Sequence, residues 1–151
     1  MKPFAAVMNG HAALARFLDT LRPWLLLATR LWVSWQFFKS GWLKLTGWDV
    51  TLELFRSEYQ VPLLPAQIAA VCGTFGELFF PVLLAAGLFA RFGALGLFVV
   101  NAMAVISYWH VLDSDGYEAA LAQHVLWGFM LAVIAVCGAG AVSIDEKLGR
   151  R

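Results

Sequence analysis

The chain has 151 residues, of which 61% are hydrophobic and 14% charged, with a formal net charge of +1. Soluble domains are nearer half apolar and about a quarter charged, so the excess of Leu, Phe, Ala, Val and Trp calls for a lipid-facing surface. Near-neutral charge gives no electrostatic basis for binding nucleic acid, and the length fits a single domain over residues 1–151.

The N-terminus does not read as a cleavable signal, because the apolar stretch Phe4 to Met8 is broken at once by Asn9-Gly10-His11. Leu14, Phe17, Leu18 and Leu21 then follow the i, i+3, i+4, i+7 rhythm. Two structures fit that rhythm equally well: a short amphipathic interfacial helix, or a helix that extends the first span.

A spanning helix needs about 20 predominantly apolar residues. Four segments qualify, at 23–44, 65–90, 92–109 and 119–142, which predicts an all-α four-transmembrane-helix bundle. Pro23 and Pro65 suit first-turn positions, where a missing N–H costs little. Between the first two spans, Leu52, Phe55 and Tyr59 share one helical face, with Glu53, Arg56 and Glu58 turned to water. That segment reads as an interfacial anchor or as a lid over the bundle.

Lys2, Arg16, Arg22, Arg91, Lys147, Arg150 and Arg151 fall on one side of this topology, and only Arg56 falls in the opposite loops. Both termini are therefore expected in the cytoplasm. Lys39 and Lys44 end the first span and are expected to snorkel outward.

Ionisable groups at membrane depth cost about 2.5–3.5 kcal/mol on insertion scales and call for a reason. Counting 1.5 Å per residue from the helix ends places Arg30, Glu77 and Asn101 in one buried layer. An Arg30–Glu77 ion pair fixing helix packing is one reading; a ligand or proton site is the other. Arg30, Ser34, Phe37, Gly41 and Lys44 share a face of the first helix, and Ala66, Ala70, Gly73 and Glu77 share a stripe of the second. A second polar layer, Gln36, Cys72, His110 and His124, lies toward the outer face. Trp32, Trp35 and Trp127 fall within spans, as an aromatic slot or as packing and lipid contacts.

Cys72 and Cys137 form neither a CxxC pair nor a metal-ligand spacing, and their depths predict no bridge between them. No haem, flavin, nucleotide or zinc motif stands out.

The order of several short motifs resembles the DoxX family of small bacterial inner-membrane proteins. They are Arg30, then Gly41-Trp42-Leu43-Lys44, Glu77, Gly87-Leu88-Phe89-Ala90-Arg91, Gly138-Ala139-Gly140 and Ser143-Ile144-Asp145. The segment Trp48 to Phe55 with Val61-Pro62-Leu63-Leu64-Pro65 is similar to a subgroup found beside bufferin-type copper-binding peptide systems. The resemblance implies a membrane subunit of a quinone-linked oxidoreductase, with quinone as the cofactor to expect and a role in copper stress. It transfers no proven catalytic residue. A non-catalytic anchor for a partner protein or copper-binding peptide, and a small oligomeric transporter, are the alternatives. The partners to expect are membrane lipids with a protein partner or further copies of the chain.

Overall fold

The computed structural model describes residues 2–149, with side chains from residue 7 onward. Arg150, Arg151 and the side chains of Lys2 and Phe4 therefore lie outside the described residues. The described chain is all-helical: α1 Lys2–Thr46, α2 Trp48–Ser57, α3 Ala66–Ala86, α4 Ala90–Ser107, α5 Trp109–Leu112, α6 Glu118–Cys137 and α7 Ile144–Lys147.

Among the described residues three helices, α3, α4 and α6, are long and apolar enough to cross a membrane. α1 is not among them, and its packed half carries Arg30, Gln36, Lys39 and Lys44. α1 runs without interruption for 45 residues, about 67 Å at the α-helical rise. Among the described residues no separate interfacial helix precedes its membrane-facing half. Leu14, Phe17, Leu18 and Leu21 lie on its N-terminal extension and are exposed. Pro23 consequently sits inside a helix rather than in a first turn. Pro65 is the residue at the N-terminal boundary of α3.

The remaining boundaries fall where backbone chemistry puts them. α3 stops at Gly87, which adopts the left-handed conformation (φ 67°). Glycine carries no Cβ penalty there. α6 stops at Gly138 rather than running on to residue 142.

α1 lies chiefly against α3, α4 sits between α3 and α6, and α6 closes the bundle against α1. The core holds Val33, Phe37, Leu84, Ala94, Leu97, Leu131 and Ile134. Phe37 meets Trp127 edge-on at 5.6 Å between ring centroids. The face expected on α1 is the one that packs: Arg30, Ser34, Phe37 and Gly41 are buried. Trp32 and Trp35 are instead exposed on the outside of the bundle with Phe75 and Phe129, so they line no aromatic slot. This belt of exposed rings is the apolar surface that the composition required.

Candidate functional site

Two polar clusters hold the bundle, and they lie at opposite ends of the packed half of α1. At the first, the Arg30 guanidinium donates to the carbonyls of Ala139 (2.7 Å) and Val142 (2.8 Å). The loop after α6 can fold back to meet it because Gly138 and Gly140 both have positive φ. Ser143 then caps α7 by accepting from the Glu146 N–H at 3.1 Å. Asp145 caps α4 by accepting from the Phe89 and Ala90 N–H groups, each at 2.9 Å. Arg91 donates to the carbonyls of Ala135 and Val136 at the end of α6. A Cβ at Gly87 would stand 2.5 Å from Arg30 Nη1 and 2.6 Å from Ser143 Cβ, so this junction admits only glycine. An open groove of about 720 Å³ borders the cluster, with Arg22 and Cys137 on its wall. Arg91 and Asp145, also on that wall, are engaged in holding the fold.

At the second cluster, Lys44 donates to both oxygens of Glu77, at 2.7 and 2.6 Å, and to Ser40 Oγ at 2.9 Å. Glu77 is 7% exposed. Its approach depends on Gly41, where a Cβ would lie 2.8 Å from Glu77 Cβ.

Arg30 and Glu77 therefore do not pair. Arg30 and Lys44 are fourteen residues apart on α1, about 21 Å along the axis. The layer expected of Arg30, Glu77 and Asn101 divides, although all three are buried. The depth count failed because it set the start of α3 level with the end of α1. α3 begins eleven residues before Glu77, while α1 ends only five residues after Gly41, leaving α3 to overhang by about 9 Å. α2 covers that overhang, with the Phe55 ring 3.5 Å from the Cβ position of Gly73. Lys44, expected to snorkel outward, turns inward instead.

A cavity of about 340 Å³ opens beside the Lys44–Glu77 pair. α3 and α4 are tightly joined near their connecting turn, where Gly96 leaves room for the Phe80 ring. Their opposite halves both line the chamber, through Gly73 and Cys72 on α3 and Met103 and Ala104 on α4. Phe55 on α2 and Tyr59 just beyond its end form the cover. That cover is fastened by three hydrogen bonds. Thr51 Oγ1 donates to the Lys44 carbonyl (3.0 Å), the Gln60 N–H to the Ser107 carbonyl (2.9 Å), and the Tyr108 hydroxyl to Glu58 (3.2 Å). Phe55, Tyr59 and Tyr108 stack edge-to-face in series at 4.7 and 5.1 Å. Burial, with Tyr108, Glu77 and Glu58 nearby, raises the Tyr59 phenol above its ordinary range and keeps it protonated.

Of the outer layer expected from sequence, Cys72 and His124 reach this chamber. Gln36 instead accepts from Lys39 (3.1 Å), and His110 is exposed, edge-on to Tyr108. Asn101 stands behind His124 and is bonded to it twice. Cys72 and Cys137 are free thiols, one on the chamber and the other on the groove at the opposite end. Lys44, Ser40, Ser107 and Tyr108 were missed as site residues. The signal that would have found Lys44 is Gly41-x-x-Lys44, a small residue one turn before a cation on the packed face.

The DoxX family model matches residues 25–110. The chain belongs to the DoxX family. That stretch contains Arg30, Gly41, Lys44, Glu77 and the Gly87–Arg91 turn, residues of both polar clusters. This DoxX chain is also 31% identical over 132 residues to an uncharacterised protein of Haemophilus influenzae, an alignment covering 82% of each. No solved structure matches it.

Proposed function

We propose that this DoxX protein is a four-span bundle of the bacterial inner membrane, with α1 as the fourth span and both termini cytoplasmic. In this reading its chamber binds a small membrane-soluble molecule. The observation that carries it is a cavity with mainly apolar walls beside a buried Glu77 held through both oxygens by the half-buried Lys44. Sites for small molecules have this character, with an apolar lining and a few fixed polar groups. The groove beside the arginine cluster is more open, and Arg91 and Asp145 on its wall are engaged in joining helix ends.

A quinone is the ligand to test first, since the family resemblance points to quinone-linked redox systems and a flat apolar ring suits the aromatic cover. The chain would then be the membrane subunit of such a system, with its redox partner elsewhere and copper stress as one setting. The test is purification in mild detergent, followed by organic extraction and mass spectrometry. Quinone should be recovered from the parent protein and lost from Ala104→Phe, which fills the chamber. Equal recovery from both would place the quinone in the detergent belt and sink the reading.

A second reading, a membrane anchor for a partner protein, is favoured by the exposed Leu14, Leu18 and Leu21 on the extension of α1. Here a partner protein would co-purify with the full chain and be lost on removing residues 2–21, with the chamber variant behaving as the parent.

A further inference from the structure

We infer that His124 makes the chamber selective for a molecule bearing a hydroxyl group, by presenting it a fixed hydrogen-bond acceptor. The inference rests on the chamber being a ligand site and adds which chemical group it reads.

The argument starts at Asn101, which is 5% exposed. Its side chain makes two bonds to one residue: Nδ2 donates to the His124 carbonyl at 2.9 Å, and Oδ1 lies 2.8 Å from His124 Nδ1. A carbonyl only accepts, so the amide nitrogen must face it; turning the amide over would set two oxygens against each other. Oδ1 therefore faces the ring, and an amide oxygen also only accepts. Nδ1 must carry the proton. In the neutral imidazole the other nitrogen, Nε2, is then an acceptor.

Nε2 makes no hydrogen bond to any described residue, and His124 lines the chamber. The ring is further held edge-on by Trp127 at 5.0 Å. The approach of Asn101 depends on Gly128, where a Cβ would come within 3.3 Å of Asn101 Nδ2. Helix α6 is thus shaped to let a buried amide fix one tautomer of one histidine.

The other polar groups free on the wall complement this acceptor. Ser107 is 5% exposed and its hydroxyl makes no hydrogen bond to a described residue, and Tyr59 carries its phenol into the same space. Both can donate. Lys44 cannot, since its three N–H groups are already committed to Glu77 and Ser40. A guest hydroxyl can donate its O–H to Nε2 while its oxygen accepts from Ser107 or Tyr59, whereas an ether or a bare ketone leaves Nε2 unpaired. Leaving a buried polar atom unpaired costs more than a hydrogen bond contributes. The class is therefore an apolar alcohol or phenol; of a quinone couple, the hydroxyl-bearing reduced form is the better guest.

The test compares 4-hexylphenol with 4-hexylanisole, which differ by capping the hydroxyl, for binding to the full-length protein in nanodiscs. The phenol is expected to bind about five- to tenfold more tightly. That preference should vanish in His124→Phe, and both probes should be excluded by Ala104→Phe. In protein labelled with ¹⁵N-histidine, the phenol alone should shift the His124 Nε2 resonance, a readout that stands even where His124→Phe does not fold. Binding of both probes in the chamber with equal affinity, or an unmoved Nε2 resonance, overturns the assignment of His124 and leaves the chamber as a site. Binding of neither probe, or binding that Ala104→Phe does not affect, overturns the chamber reading and the inference with it.

Discussion

Removing either member of the Lys44–Glu77 pair should be far more damaging than removing both. Lys44 holds both carboxylate oxygens at 2.6–2.7 Å, and the two side chains are 19% and 9% exposed, so water replaces little of what is lost. Glu77→Leu leaves an ammonium with one neutral partner, Ser40; Lys44→Met leaves a buried carboxylate with no cation. Breaking a buried pair in this way costs about 3–5 kcal/mol, whereas replacing the whole pair by apolar groups of similar size is often near neutral. Each single loss should therefore exceed the loss in the double variant by about 3–5 kcal/mol. Arg30→Met with Glu77→Leu is the internal control, because these residues share no partner and their effects should add within about 0.5 kcal/mol. Reversible unfolding in mixed micelles, followed by tryptophan fluorescence, measures all the corners of both cycles. Additivity in the Lys44 cycle, or strong coupling in the Arg30 cycle, would show that the register of α1 against α3 is wrong.

Four further outcomes are expected. Gly41→Ala should destabilise by about 1–3 kcal/mol in the same unfolding assay, because its Cβ meets Glu77 and Leu78 at 2.8–3.0 Å; Gly10→Ala, with nothing within 4 Å, should be neutral or stabilise slightly. Asp145→Ala should cost about 1–2 kcal/mol through loss of its bonds to the first turn of α4, with Asp145→Asn losing less. Cysteines placed singly at Ser114 and Gly10, in a background lacking Cys72 and Cys137, should label from opposite sides of intact cells, Ser114 from outside; reversed labelling would invert the orientation. In alkaline titration followed by phenolate absorbance, Tyr59 and Tyr108 should ionise above the ordinary tyrosine range, Tyr108 through burial and its bond to Glu58. Each folded pKa is raised, so its contribution is intact below the ordinary tyrosine pKa of about 10 and is lost as pH climbs toward the folded value. Tyr59→Phe should remove one late-titrating group, and titration of all tyrosines as free phenols would contradict the closed α2 cover.

The bundle was legible because its grammar is local. Runs of apolar residues set α3, α4 and α6, and the 3.6-residue rhythm of Arg30, Ser34, Phe37 and Gly41 set the buried face of α1. What could not be read was vertical offset. Sequence spacing measures distance along one helix, but the level at which two helices meet depends on a contact, here Gly41 against Glu77. Without that contact, Lys44 looked like a cation at a span end and Arg30 like the natural partner of Glu77. The chamber was half visible: Glu77, Cys72 and His124 were chosen for being polar at depth, and the inward face of Leu52, Phe55 and Tyr59 was read from periodicity. Ser107 and Tyr108 were not, because a serine and a tyrosine at a helix end carry no spacing that tells an inward turn from an outward one. Pro23 misled for a related reason, since a proline favours a first turn but does not forbid a longer helix whose earlier residues also suit one.

The carbonyls that hold Arg30 come from residues 109 and 112 positions later in the chain. More than a hundred residues are therefore made after this arginine before its partners exist. At about 5–20 residues per second, roughly 5–20 s pass between emergence of Arg30 and emergence of its partners, and with α1 as the fourth span proposed above the helix carries an insertion penalty of about 2.5–3.5 kcal/mol throughout. Premature termination, or proteolytic trimming before Ala139, would leave that penalty permanent and expose an unmatched cation to membrane quality control. Residues 139–142 thus do for the first helix what no nearer segment does: they close the hydrogen bonds of its most deeply buried cation.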